Sequence, residues 1–121
     1  MNQIQNTKIY DLEKRTFGFA QDVRSYLKQI QKTIISIEDM KQLTRSSGSI
    51  GANYIEANEA LSKKDFYMRI KICRKETKES IYWLKLLVSG NTKLENIRLQ
   101  LIDEATQLMK IFGSIITSSN I

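Results

Sequence analysis

Between Arg45 and Lys85 the chain gathers most of the side chains that could do chemistry. Glu76 and Glu79 stand three residues apart, a spacing that puts both carboxylates on one face of a helix. Paired carboxylates serve acid–base catalysis or hold a metal ion. Here Lys75 precedes Glu76 and lies four residues before Glu79, so an ion pair at a helix surface or interface accounts for both more simply. No histidine occurs in the 121 residues, which removes the commonest general acid–base group and the commonest transition-metal ligand. The same absence excludes a Ser-His-Asp hydrolase and the Glu-x-x-His di-metal site of ferritin-like bundles. Cys73 is the single cysteine, so neither an internal disulfide nor a multi-cysteine zinc site is available. Its place on an apolar helical stripe marks it as a small core residue and not a reactive thiol. The residues thus point away from an enzyme, and no metal or cofactor is expected.

The segment RSSGSIGANYIEA, Arg45 to Ala57, crowds small residues together. A glycine-rich phosphate loop would need a preceding strand and a Gly-Lys-Ser/Thr tail, and neither is present. Each glycine inside a helix costs about 1 kcal/mol. Gly48 and Gly51 therefore call for a packing reason, the close approach of another helix, or mark a local kink. Asn53 and Glu56 beside them either make polar contacts to another helix or subunit or face water. A buried Glu56 would need a cation, for which Arg45, Arg69 and Lys75 are candidates.

Positive charge is concentrated. Eight basic residues between Lys63 and Lys85 face three acidic ones, a net of +5 within a chain of net charge +6. Lys64, Tyr67, Lys71, Arg74, Lys78, Tyr82 and Lys85 step three or four at a time along one ridge. The like-charged pairs Lys71/Lys75 and Arg74/Lys78 each oppose a helix by roughly 0.2–0.5 kcal/mol, so stability alone would favour alternating signs. A basic ridge with interleaved tyrosines suits phosphate contacts combined with base stacking; a solvated lysine face is the plainer alternative. Trp83, one step off the apolar stripe and next to Tyr82, suits either the core or a contact with a partner.

These residues must be carried by helices. The chain has no proline and five glycines, and apolar residues recur with helical period in four stretches, about 10–32, 37–60, 63–89 and 93–117. Phe19, Val23, Tyr26 and Ile30 line the first, with Phe17 alongside. Ile50, Tyr54, Ala57 and Leu61 line the second, with Ser36 as a candidate cap. Phe66, Ile70, Cys73, Thr77, Ile81, Leu84 and Val88 line the third, capped by Ser62 and stopped by Gly90-Asn91. Leu94, Ile97, Leu101, Ala105, Leu108, Phe112 and Ile115 line the fourth, with Thr92 as its cap, and the last residues from Thr117 are expected to fray. Thr33 to Ile37 admits a helix, a packed loop or a brief extended piece. Short links force antiparallel neighbours, so residues 1–121 are expected to form one all-α, up-down-up-down four-helix bundle. No apolar run spans a bilayer, and the first fifteen residues lack the apolar core of a signal peptide, so a cytoplasmic protein without a membrane association is expected.

The run from Leu43 to Leu87 resembles the bacterial 23S rRNA intervening-sequence proteins. The matching elements are Arg45-Ser46, Ser49 through Ala57, Ser62 through Phe66, Lys75 through Glu79 and Tyr82 through Leu84. Weaker helical similarity extends from about Phe17 to Ser118, and the first interhelical link lacks the prolines common in that family. The resemblance implies a left-handed antiparallel four-helix bundle and a homo-oligomer, with a ring of five subunits as the leading form. Some relatives are encoded inside insertions in ribosomal RNA genes, and a distant branch serves as a basic pentameric accessory to the reverse transcriptases of diversity-generating retroelements. Neither setting is enzymatic.

The reading that results is a helical bundle that binds nucleic acid, RNA first, or a ribonucleoprotein partner. The expected contacts are Lys64, Lys71, Arg74, Lys78 and Lys85 for phosphates and Tyr67 and Tyr82 for stacking. Arg45, Asn53, Glu56, Glu76, Glu79 and Trp83 are assigned to helix or subunit packing. A protein-interaction scaffold, its basic ridge meeting an acidic protein surface, is the alternative.

Overall fold

The computed structural model describes residues 3–118, with side chains described from residue 12 onward. Four helices follow one another: α1 (Gln3–Leu27), α2 (Ile34–Asn58), α3 (Lys63–Leu86) and α4 (Thr92–Ser118). No strand occurs among the described residues.

Cross-helix contacts fix the direction of each rod. Along α1, a Cβ on Gly51 would meet Thr16 and one on Gly48 would meet Arg24, while Arg24 reaches the Thr44 carbonyl. Rising numbers on α1 thus meet falling numbers on α2. The same holds for α2 on α3, where Ile50 meets Cys73 and Ser46 meets Ser80, and for α3 on α4, where Arg74 lies by Gly113 and Leu84 by Arg98. Each backbone packs on its two neighbours in chain order, α4 closing back on α1. The result is the expected antiparallel up-down-up-down bundle. Phe19, Val23, Ile50, Tyr54, Ile70, Leu84, Leu108 and Phe112 fill its centre, and the rings of Tyr54 and Phe112 meet across the diagonal at 6.2 Å.

Element ends differ from the sequence expectation for local hydrogen-bonding reasons. α1 stops at Leu27, five residues early, and Thr33 resolves the ambiguous segment. Its hydroxyl accepts from the Ser36 amide while Ser36 Oγ accepts from the Thr33 amide, a reciprocal capping box. Ser36 is therefore the third helical residue and not the cap, and Ile34 and Ile35 lie in the first turn of α2. Ser62 caps α3 as expected, accepting from the Asp65 amide at 3.1 Å.

Gly90 does not terminate α3 in a left-handed conformation, since no glycine has positive φ. Instead α3 ends at Leu86 where side chains take its last carbonyls. Arg98 donates to the Leu84 oxygen and Tyr26 donates its hydroxyl to the Leu87 oxygen. Asn91, not Thr92, caps α4, its Oδ1 accepting from the Leu94 amide. Leu61 and Val88, expected on apolar stripes, are exposed because both fall in links, outside the helices whose periodicity placed them inside. The expected fraying lies partly beyond the described residues; Thr117 and Ser118 are still helical.

Candidate nucleic-acid interface

The small-residue segment of α2 is a two-sided packing device. Gly48 and Gly51 face α1, and a Cβ at Gly51 would sit 3.1 Å from Thr16 Oγ1. Thr16 is itself fully buried and donates to the Leu12 carbonyl. Ser46 faces α3 and shares a 2.8 Å hydrogen bond with Ser80. The glycines thus have a packing reason, and α2 runs unbroken through both. Cys73 lies under this contact, its thiol donating to the Ile50 carbonyl, and burial pushes its pKa up to about 12. An unionised thiol at neutral pH is a packing group.

Close approach of α2 and α3 places Arg45 over the two carboxylates of α3. Its guanidinium donates to Glu76 and to Glu79, each at 3.0 Å. Glu76 is only 7% exposed, so it needs this partner. Desolvation works against the Arg45 cation, but the charge of Glu76 and the bonds to both carboxylates overcome it and raise its pKa. The partner is therefore Arg45 of the neighbouring helix, in place of the expected Lys75, which makes no ion pair among the described residues. Asn53 bridges the same seam: its Oδ1 accepts from Arg69 at 3.0 Å and its Nδ2 donates to the Ser49 carbonyl. Glu56 points to solvent and makes no ion pair among the described residues, so Arg69 serves Asn53 instead. Trp83 is half-buried against the core with Tyr82 edge-on to it at 5.0 Å.

The α2 side of α3 consequently takes up its carboxylates, and the α4 side is left basic. Lys64, Lys71, Arg74, Lys78 and Lys85 are all exposed, as is Tyr82, while Tyr67 is half-buried with its ring edge-on to Phe66. None of the five cations makes an ion pair among the described residues. From Lys64 to Lys85 the ridge runs about 30 Å at helical rise. In the middle of α4, Glu104 is held by Arg15 of α1 at 2.7 Å, and the exposed Asp103 accepts from Gln107 of its own helix.

The structure adds residues that sequence reasoning missed. Lys110, Ser114 and Thr117 of α4 lie next to Arg74 across the α3–α4 seam. Pairing Arg74 with Gly113 in an antiparallel register would have found them. At the other end, Glu95 accepts from Arg98 and from the Ser89 amide. The Arg98 bonds hold its carboxyl below the usual range and raise the Arg98 pKa in turn. Burial pushes the Tyr26 phenol beside them up to about 12. Among the described residues no cluster of three or more potential ligands could hold a metal ion, and no helix is long and apolar enough to cross a membrane.

A family model described as 23S rRNA-intervening sequence protein matches residues 8–114. A crystal structure of a protein of unknown function, from the S23 ribosomal protein family of Bacteroides thetaiotaomicron VPI-5482, is similar in fold and sequence. It aligns with a TM-score of 0.71 at 29% identity, covering 87% of this chain and 97% of that one. No curated protein matches the chain.

Proposed function

Because this chain belongs to the 23S rRNA-intervening sequence protein family, we propose that it is a non-enzymatic, oligomeric, cytoplasmic bundle that binds nucleic acid, RNA in particular, through the basic ridge of α3. The observation that carries this reading is the sorting of charge on α3. Arg45 takes up Glu76 and Glu79 on one side, while Lys71, Arg74, Lys78 and Lys85 stand exposed on the other without acidic partners among the described residues. Uncompensated cations at helical spacing release counterions when they meet phosphates. Exposed Tyr82 adds a stacking surface within the row. An assembly of such ridges would raise apparent affinity by linking weak sites.

Lys71→Gln, Arg74→Gln and Lys78→Gln combined tests the reading by fluorescence anisotropy with labelled RNA. At 0.1 M salt, binding should fall by at least tenfold, and the slope of log K against log salt should flatten by about 2. Unchanged affinity and slope would remove the ridge from nucleic-acid binding. A protein-interaction scaffold is the second reading, favoured by the exposed apolar side chains Met68 and Leu86 on α3. It requires that binding to generic RNA be absent, with the ridge taking an acidic protein surface instead.

A further inference from the structure

The basic row does not end at the edge of α3. Arg74 extends across the seam to α4, where Gly113 offers no side chain; a Cβ built there would stand 3.8 Å from Arg74 Nε. An open groove begins at this point, lined by Arg74, Lys110, Gly113, Ser114, Ile116 and Thr117. Ile116 also borders a second hollow lined by Lys71, Arg74, Lys75 and Lys78. Two helices thus direct cations at one concave strip, with Ile116 as its apolar floor. Glu79 touches only the far hollow and is tied to Arg45, and among the described residues no carboxylate lines the near one.

We infer that the α3–α4 groove seats a phosphodiester of the bound nucleic acid between Arg74 and Lys110, so that the strand crosses from α3 onto α4. The inference rests on the nucleic-acid reading above and adds to it a seat and a direction. Arg74 supplies a planar fork suited to two phosphate oxygens, and Lys110 a point charge on the opposite helix. The Ser114 hydroxyl is exposed and free to donate, whereas the Thr117 hydroxyl donates to the Gly113 carbonyl. At Gly113 an added methyl would stand only at ordinary contact distance from Arg74 Nε, so the position tolerates a small side chain. The competing role for these cations is to offset the negative carboxyl end of α4, which would serve stability and not binding.

Anisotropy with a labelled 15-nucleotide single-stranded RNA separates the two, comparing Lys110→Gln, Gly113→Asp, Gly113→Ala and the ridge triple variant. Lys110→Gln should weaken binding about threefold to tenfold and lower the salt slope by roughly 0.7, the loss of one phosphate contact. Gly113→Asp, which sets a carboxylate beside Arg74, should weaken binding further. Gly113→Ala, with ordinary contact distance available, should bind like the parent and melt no lower. If both Lys110→Gln and Gly113→Asp bind like the parent while the ridge variant fails, the groove proposal is overturned and the ridge reading survives. If the ridge variant also binds normally, both fall. A lower melting temperature for Lys110→Gln at unchanged salt slope would assign Lys110 to the helix end and reject the seat.

Discussion

At the scale of single residues, the buried polar groups each answer to a named partner. No buried side-chain nitrogen or oxygen among the described residues lacks a hydrogen bond. Glu76 needs Arg45, Ser46 needs Ser80, and Asn53 needs Arg69. Residue types announced that such groups had partners; they did not say which. Lys75, adjacent in sequence, was the expected mate of Glu76 and Glu79. Arg45 is the actual one, because close α2–α3 packing shortens a through-space path that the chain order hides. Glu95 carries a pH consequence. Its carboxyl is held below its ordinary value of 4.5 by Arg98 and the Ser89 amide, so its contribution to stability is present above that value and lost as pH falls through the lowered one. Glu95→Gln should therefore melt below the parent at pH 7, with the gap narrowing below about pH 5 and closing in stronger acid. Thermal melts across that range check it, and a gap independent of pH would contradict the ion pair.

At the scale of elements, the α1–α2 and α2–α3 seams depend on small side chains more than on stripe residues. Gly51 and Gly48 make the contrast testable. Either alanine gains up to about 1 kcal/mol of helix propensity. At Gly51 the new methyl meets Thr16 Oγ1 at 3.1 Å and its Cβ at 3.4 Å, a buried neighbour with no room to retreat. Overpacking of that kind costs about 1–3 kcal/mol, so Gly51→Ala should be destabilised by up to about 2 kcal/mol. At Gly48 the neighbour is the far end of Arg24, which can swing away, so Gly48→Ala should be neutral or more stable. Urea unfolding of both variants decides it, and equal shifts would contradict the account. Helix existence was legible from periodicity. Helix ends were less so: Tyr26 and Arg98 take the carbonyls at the end of α3 from positions that only the folded chain brings near.

At the scale of the whole molecule, charge and apolar surface are unevenly placed. Ile35, Leu86 and Val88 border one hollow at the end where the α1–α2 and α3–α4 links meet, with Ile34 88% exposed nearby. Side chains of this size left open at one end favour a contact with another copy. The expected outcome of light scattering is a mass several times the chain's 14.0 kDa, with five copies as the leading stoichiometry. Ile34→Glu combined with Val88→Glu should lower that mass while the helical circular dichroism spectrum is kept. A parent that runs as a single chain would rule out the assembly.

What the sequence determined by itself was the set of four amphipathic helices, their antiparallel order and the basic excess of α3, because periodicity, short links and charge are local properties of neighbouring residues. Only the tertiary structure decided what becomes of the two carboxylates of α3 and which residues of α4 flank its basic ridge. Arg45 arrives from α2 to take up Glu76 and Glu79, and the antiparallel packing of α4 on α3 sets Lys110 in one hollow with Arg74. Each of these joins residues tens of positions apart, and their distance is set by how closely the helices pack, which no single helix encodes.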